Sequence, residues 1–445
     1  MKELTFSTRD EFNRKAIAEK AITLLQSDLD VSPMIIDGGW GAGKTEFCHK
    51  LSNLMKESGT HQLIYIDAFK SDHADEPLLT VLAEVLKLVP GDEQQASFIK
   101  KVVPAIRYGI KASLKAGVSH LLKQDAADVV DDFDKAIQQA ADKAIDSSVE
   151  SMLDDHINAD KSLKALQAVL SEISTEKPII IFIDELDRCR PNFAINMLEI
   201  IKHVFNIDQV KFVLITNTEQ LKASVEHCYG VRVDSQRYLD KFIKFRFSLP
   251  IQVNRNTRYY SSASDLYLKK MIDSNNIIPS KLVKGGPITD FISNIIKVNN
   301  LSLREIETLY RHMCIYQKIS SNDGFSADGY LGYLSLRFLG VFMFCFKPGL
   351  ILGIEHDRLV IDDIAKLLGM SEIPRINNRR PDISEMVLAM ISRDTLVMSL
   401  NFKEHLEDLT SWNQYIDKGL MSGDVDDNEC SDILKEAFNT LALAG

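Results

Sequence analysis

The first residues able to do chemistry form a glycine-rich loop near the start of the chain. Between Pro33 and His49 the sequence reads PMIIDGGWGAGKTEFCH, so that Gly38 and Gly43 are separated by four residues and followed directly by Lys44 and Thr45. Glycines at 38, 39, 41 and 43 let successive peptide N–H groups turn inward around phosphate oxygens, and the helix that follows adds its positive end. Lys44 can reach the β and γ phosphates, and the Thr45 hydroxyl can ligate Mg²⁺. Gly38, Gly39, Trp40, Gly41, Ala42, Gly43, Lys44, Thr45 and Glu46 are therefore the candidate nucleotide-binding set.

Two later runs end in polar residues of the types such a loop needs as partners. Lys177-Pro178 opens an unbroken apolar run, Ile179 to Ile183, that closes on Asp184-Glu185. A carboxylate at the carboxyl end of a buried parallel strand sits where Mg²⁺ is held, usually through water, so Asp184 joins Thr45 as a candidate metal-side residue. Glu185, one position on, faces differently and is the candidate general base that polarises the attacking water. Lys211 to Ile215 reads KFVLI and ends in Thr216-Asn217. In nucleotide hydrolases that insert an extra strand between the loop strand and the carboxylate strand, a polar residue here contacts the γ-phosphate or the water. Asn217 is the sensor candidate on that ground and completes a catalytic set with Lys44 and Glu185, while a helix or turn cap is the competing role for Thr216 and Asn217.

These residues need a scaffold, and the hydrophobic pattern supplies one. Short apolar runs at Met34–Ile36, Leu63–Asp67, Ile179–Ile183 and Lys211–Ile215, with the alternating Phe242–Phe247, read as five strands. Helix-compatible stretches follow the first, to Lys56, and the second, from about Glu76 to Leu88. Strands alternating with helices make an α/β protein with a parallel five-stranded sheet, and its carboxyl-end loops build the site.

Composition narrows the class of protein. The chain has 445 residues, 45% of them hydrophobic and 26% charged, which is ordinary globular usage for two or three domains. With 52 basic and 63 acidic residues the net charge is −11, which argues against a whole surface made to coat nucleic acid or membrane. Nucleic acid or another acidic partner would have to use the basic face Lys100–Lys115 or the Pro-flanked loop Arg375–Arg380. The six cysteines form no C-x-x-C pair, and the polar segment Met1 to Asp10 is no signal peptide, so a cytoplasmic protein is expected.

Neither of two apolar regions reads as a membrane span. Phe98 to Leu122 carries Lys100, Lys101, Arg107, Lys111 and Lys115, and Tyr330 to Ile354 is split by Arg337 and ended by Lys347-Pro348-Gly349. The first is expected to be amphipathic and the second a core helix. Asp424, Asp426 and Asn428 begin like a calcium loop, but Glu429 and Lys435 occupy the positions where such a loop needs Gly and Glu. The acidic groups Asp131–Asp134 and Asp154-Asp155-His156 read as solvated helix faces.

Taken together, Asp37 to Thr45, Ile66-Asp67-Ala68-Phe69 and the string DELDRCRP that begins at Asp184 resemble the KAP family of P-loop NTPases. The resemblance runs from about Asp10 to Tyr316 and extends to the approach segment Asp10–Arg14 and to Tyr238–Ile243. It implies an ATPase of the additional-strand class, related to the AAA+ and STAND groups, with a helical insert between the two motifs and a helical lid after the sheet. The expected layout is an NTPase core over 1–250 with the insert at about 90–163, a lid over 251–320, and an α-helical C-terminal region over 321–445 that the resemblance matches only loosely. The family's roles carry over to Lys44 for phosphate, Thr45 and Asp184 for Mg²⁺ and Glu185 for water activation. Asn13 and Arg14 resemble the linker that packs near the adenine, and Asn300–Arg304 resembles the start of the lid helix, whose Arg304 can present its charge to the phosphates. In many members the insert spans a membrane; here it is the charged region already read as non-spanning. Bacterial members without spans are often linked with exclusion of phage or plasmids. With no N-K-x-D string to read guanine, ATP is the expected nucleotide. The expected function is an Mg²⁺-dependent ATPase switch or motor acting on a homo-oligomer or protein partner, and the alternative is a nucleotide-assembled scaffold with little hydrolysis.

Overall fold

Runs rich in Ile, Val and Phe form strands because branched and aromatic side chains fit a pleated surface covered on both faces. In the computed structural model these strands are β1 (Met34–Asp37), β2 (Gln62–Asp67), β3 (Ile179–Asp184), β4 (Val210–Thr216) and β5 (Phe245–Ser248). The structure describes residues 4–10, 12–74, 77–99, 164, 167–175, 177–203, 207–250, 252–255, 259–320, 324–326, 331–355, 360–371, 381–394 and 429–443. The basic face at Lys100–Lys115, both acidic groups in the insert, the loop Arg375–Arg380 and Asp424–Asn428 lie outside them. The five strands make one sheet in the order β2-β3-β4-β1-β5, with every pairing parallel. β4 lies between the loop strand β1 and the carboxylate strand β3, the additional-strand arrangement. The edge strand is shorter than its sequence pattern, since Phe242 to Lys244 precede β5.

Alternation along each strand sorts the core into two layers. Met34 and Ile36 of β1, Ile180 and Phe182 of β3 and Val213 and Ile215 of β4 face α1 (Lys15–Gln26) and α2 (Lys44–Ser58). Ile35, Ile179, Ile181, Ile183, Phe212 and Leu214 point the other way, toward α3 (Pro77–Leu86), α4 (Pro191–His203) and α5 (Thr218–Tyr229). All six residues of β3 are buried, Asp184 included. At roughly 1.5–3 kcal/mol for each large aliphatic side chain buried, a slip of one residue in β3 would exchange its two faces and strand Asp184 among apolar groups.

The chain divides into two compact units, Met1–Leu249 and Pro250–Gly445. The second opens with the antiparallel pair β6 (Gln252–Arg255) and β7 (Tyr259–Ser262). Its helices are α6 (Ala263–Ser274), α7 (Pro287–Val298), α8 (Leu303–Ile319), α9 (Leu331–Phe346), α10 (Pro348–Glu355), α11 (Ile361–Leu368), α12 (Ile383–Asp394) and α13 (Glu429–Leu441). A single hydrophobic cluster runs from Leu268 to Leu441, so helices on both sides of residue 320 share one core. From Leu331 to Ile354 the apolar segment is α9 and α10, buried in that cluster and broken at Lys347-Pro348 because proline cannot donate into the preceding turn. Arg337 does not interrupt α9; its Nη1 donates to the Gly324 carbonyl at 2.6 Å. Among the described residues no helix is long and apolar enough to cross a membrane.

α9 packs on α13 at a point of close approach, where a Cβ added to Gly340 would stand 2.7 Å from the Ala437 Cβ. Gly340→Val is expected to destabilise the second unit by about 1–3 kcal/mol, the usual cost of overpacking, read as a lower urea midpoint in circular dichroism. Gly349→Ala is the control, since nothing lies within 4 Å of its added Cβ; equal midpoints for the two variants would contradict the packing described.

Candidate nucleotide-binding site

Parallel register gathers motif residues that are far apart in sequence into one row at the carboxyl edge of the sheet. Asp67 lies beside Asp184, Asp184 beside Ile215, and Thr216 beside Asp37, with Ser248 beyond it. The loop leaving β1 turns back into α2 through Gly41 at φ 77° and Gly43 at φ 78°, a left-handed geometry that only glycine adopts without strain. Gly43 is the residue before the helix, so the loop wraps the positive end of α2. The Asp37 carboxylate anchors the loop's first peptide: one oxygen accepts from Gly38 N and from Thr218 N, each at 2.9 Å.

Lys44 is 9% exposed, and its Nζ donates to the carbonyls of Gly38 at 2.5 Å and Gly39 at 3.0 Å. Burial pulls its ammonium below the usual lysine range, while the carboxylates of Asp187, Asp184 and Asp37 act in the opposite sense. The carboxyl edge of β3 is tied to the same loop by the 2.7 Å hydrogen bond from Trp40 Nε1 to Asp187. Thr45 is exposed in the first turn of α2. The Glu46 carboxylate is turned to the flank of α2, where it pairs with Lys50 at 2.8 Å and stands 3.8 Å from Arg9. What Glu46 can offer a phosphate is its backbone N–H.

The approach segment meets the loop directly. Asp10 accepts from the backbone N–H groups of Arg14 and Lys15 at 2.7 and 3.0 Å and thereby starts α1. Arg14 is 6% exposed; its Nη2 donates to the Ala42 carbonyl at 3.1 Å, and its guanidinium lies 4.8 Å from the Phe12 ring centroid. Arg14 thus braces the phosphate loop from behind. Asn13 is exposed, with φ 53°.

On the opposite side, Asp184 is 1% exposed and has a donor on each oxygen, Tyr65 Oη at 2.8 Å and Glu185 N at 2.8 Å. Burial first, and then the Asp184 charge, raise the Tyr65 phenol above its ordinary range, so it stays a donor. The ring of His49, from α2, lies 4.6 Å from that of Tyr65. Glu185 has φ 60°, left-handed for a residue with a Cβ. Its carboxyl is pushed up by burial and pulled down by Arg188, whose Nη2 stands 3.1 Å from Oε1. Arg188 therefore belongs to the site, whereas Arg237 pairs with Asp234 at 3.2 Å and Lys241 lies over Tyr238 on the surface. Asp187 accepts from Trp40 Nε1 at 2.7 Å and from Thr216 Oγ1 at 3.2 Å. The turn is tied down beyond Arg188 as well, because Arg190 N and Nε donate to Asp72 at 3.1 and 3.3 Å.

Asn217 does cap a helix: its Oδ1 accepts from Glu219 N at 3.2 Å at the start of α5. Arg304 lies in the second unit, exposed in the first turn of α8, where Ser302 and Glu305 form a reciprocal cap. Tyr65 and Asp187 went unread from the sequence as site residues. The signal for Tyr65 is its place two residues before Asp67 in an apolar strand, on the face opposite Ile64 and Ile66; that for Asp187 is its position within DELDRCRP. Tyr65→Phe removes one of the two donors to the buried Asp184 carboxylate and is expected to cost about 1–3 kcal/mol, read as a lower thermal midpoint. An unchanged midpoint would mean that the hydroxyl does not hold Asp184.

The phosphate loop, the carboxylate strand and the strand between them have counterparts in known proteins. The sequence profile of the KAP family P-loop domain matches residues 14–320. Phage T7 exclusion protein of Escherichia coli (strain K12) is 23% identical over 263 residues, which make up 54% of this chain and 33% of that protein. The chain thus spans about a third of that relative's length. With the profile covering more than half of its residues, the chain belongs to the KAP family of P-loop NTPase-domain proteins.

Proposed function

We propose that this protein is an Mg²⁺-dependent ATPase that works as a nucleotide-driven switch or motor. The observation that carries the reading is the meeting of the Lys44 loop with the Asp184-Glu185 edge: a phosphate cradle and a hydroxyl come from the segment after β1, a buried carboxylate and a candidate base from the end of β3, and the Trp40–Asp187 hydrogen bond joins the two. Loop N–H groups and Lys44 would bind the β and γ phosphates. Thr45 and Asp184 would hold Mg²⁺, and their oxygen-only donor set suits a hard cation that keeps water and phosphate as its other ligands. Bound there, Mg²⁺ would neutralise charge on the phosphates. Glu185 would orient the attacking water and accept its proton.

The outlying candidates fit around this centre. Asn217 has its Oδ1 engaged in the cap, so a sensor role would fall to its amide N–H groups. The exposed Asn13 is the proposed adenine neighbour, Arg304 the proposed lid arginine, and residues 251–320 the lid. A homo-oligomer or protein partner would read the nucleotide state. The absence of an N-K-x-D string supports ATP over GTP. The likeness to a protein named for exclusion of phage T7 supports a place in bacterial defence against phage; action on plasmids and a cytoplasmic location are further parts of the proposal. The ion pair that holds Glu185 to Arg188 favours the second reading, a nucleotide-assembled scaffold in which hydrolysis is slow.

Purified protein with Mg²⁺ and ATP is expected to release phosphate. Lys44→Ala should lower both binding and turnover, and Glu185→Gln should bind ATP yet turn it over at least about 100-fold more slowly. Absence of nucleotide binding in the wild type would overturn the proposal. Oligomerisation lost in Lys44→Ala but kept in Glu185→Gln, without turnover in the wild type, would favour the scaffold.

A further inference from the structure

Asp187 joins three segments that the nucleotide reading treats separately. It sits in the short 3₁₀ turn Leu186–Arg188 after β3, and its two oxygens take the Trp40 indole from the phosphate loop and the Thr216 hydroxyl from the end of β4. Thr216 is fully buried, so that end of the contact is fixed by the sheet. Trp40 is 50% exposed and stands between Gly39 and Gly41, in a loop whose neighbouring residues lend it no bulk. An added Cβ at Gly39 would meet nothing within 4 Å, so little packing holds that stretch. The indole has one donor and no acceptor, and the 2.7 Å bond to a carboxylate is its polar anchor.

We propose that Asp187 is a positioning residue that, through Trp40, fixes the phosphate loop at a set distance from the Asp184-Glu185 edge. The bond links the part of the site that holds phosphate to the part that would act on water, so the loop can move only together with the turn after β3. The proposal rests on the ATP reading for its effect on affinity, while the bond itself can be tested without nucleotide.

Three variants of the full chain separate a hydrogen-bonded strut from a charge effect on Lys44. Asp187→Ala removes acceptor and charge, Asp187→Asn keeps an acceptor without the charge, and Trp40→Phe removes the donor and leaves the charge. ATP affinity is expected to weaken about tenfold in Asp187→Ala and in Trp40→Phe, and no further in the double variant. Asp187→Asn should return to within about threefold of wild type. Trp40 emission, isolated by subtracting the Trp40→Phe spectrum to remove Trp412, is expected to shift in nucleotide-free Asp187→Ala and much less in Asp187→Asn. A silent Trp40→Phe, additive effects in the double variant, or Asp187→Asn as damaging as Asp187→Ala would overturn the strut. If the wild type binds no ATP, the nucleotide reading fails, and the emission comparison still decides whether the bond exists.

Discussion

A lysine nitrogen held almost out of water at the mouth of a glycine loop is the constraint around which the first unit is arranged. Burial alone disfavours the ammonium form, so Lys44 requires compensation from its surroundings. It obtains this from two loop carbonyls and from the carboxylates of Asp187, Asp184 and Asp37. Each of those groups is in turn fixed: Asp37 by two peptide N–H groups, Asp184 by Tyr65 and Glu185 N, and Asp187 by Trp40 and Thr216. Moving any of them would leave a charge poorly paired in a water-poor place, where that error costs most.

The parallel sheet explains why these groups meet at one edge. Both faces of β1, β3 and β4 are covered by helices, so polar side chains are tolerated only where the strands end. The register brings the ends of β1, β3 and β4 level, and β4 between β1 and β3 sets the gap across which the loop and the carboxylate edge face each other. Asp187 crosses that gap by reaching from the β3 turn to the loop, with its second oxygen on β4. The left-handed backbone at Glu185 belongs to the same geometry, because the chain must turn sharply for a carboxylate to follow the buried Asp184.

Much of this was legible as pattern. Unbroken apolar runs ending in Asp184-Glu185 or Thr216-Asn217 read as buried strands with polar tips, and the G-x4-G-K-T spacing read as a phosphate loop, because each signal is local. Arg14 shows what pattern leaves open: the resemblance of its segment to a linker implied a place near the adenine, and the structure adds a contact that no pattern announced, its guanidinium donating to the Ala42 carbonyl. Glu46 directly follows the loop's consensus, and the nearby Lys50 captures its carboxylate. Asn217 read as a sensor with a helix cap as the competing role, and the geometry of α5 gives its oxygen to the cap.

The sequence by itself determined the five strands of the parallel sheet, the phosphate loop, the carboxylate pair and the family, since these depend on residue types at short fixed spacings; the pair β6 and β7 went unread. Only the tertiary structure decided the strand order, the placement of Tyr65 beneath Asp184, the Glu185–Arg188 pair and the bridge from Asp187 to Trp40. Trp40 and Asp187 are separated by 147 positions, and no local pattern encodes a contact across that distance. It follows from the parallel register and from the two strand spacings, roughly 10 Å, by which β4 separates its two neighbours.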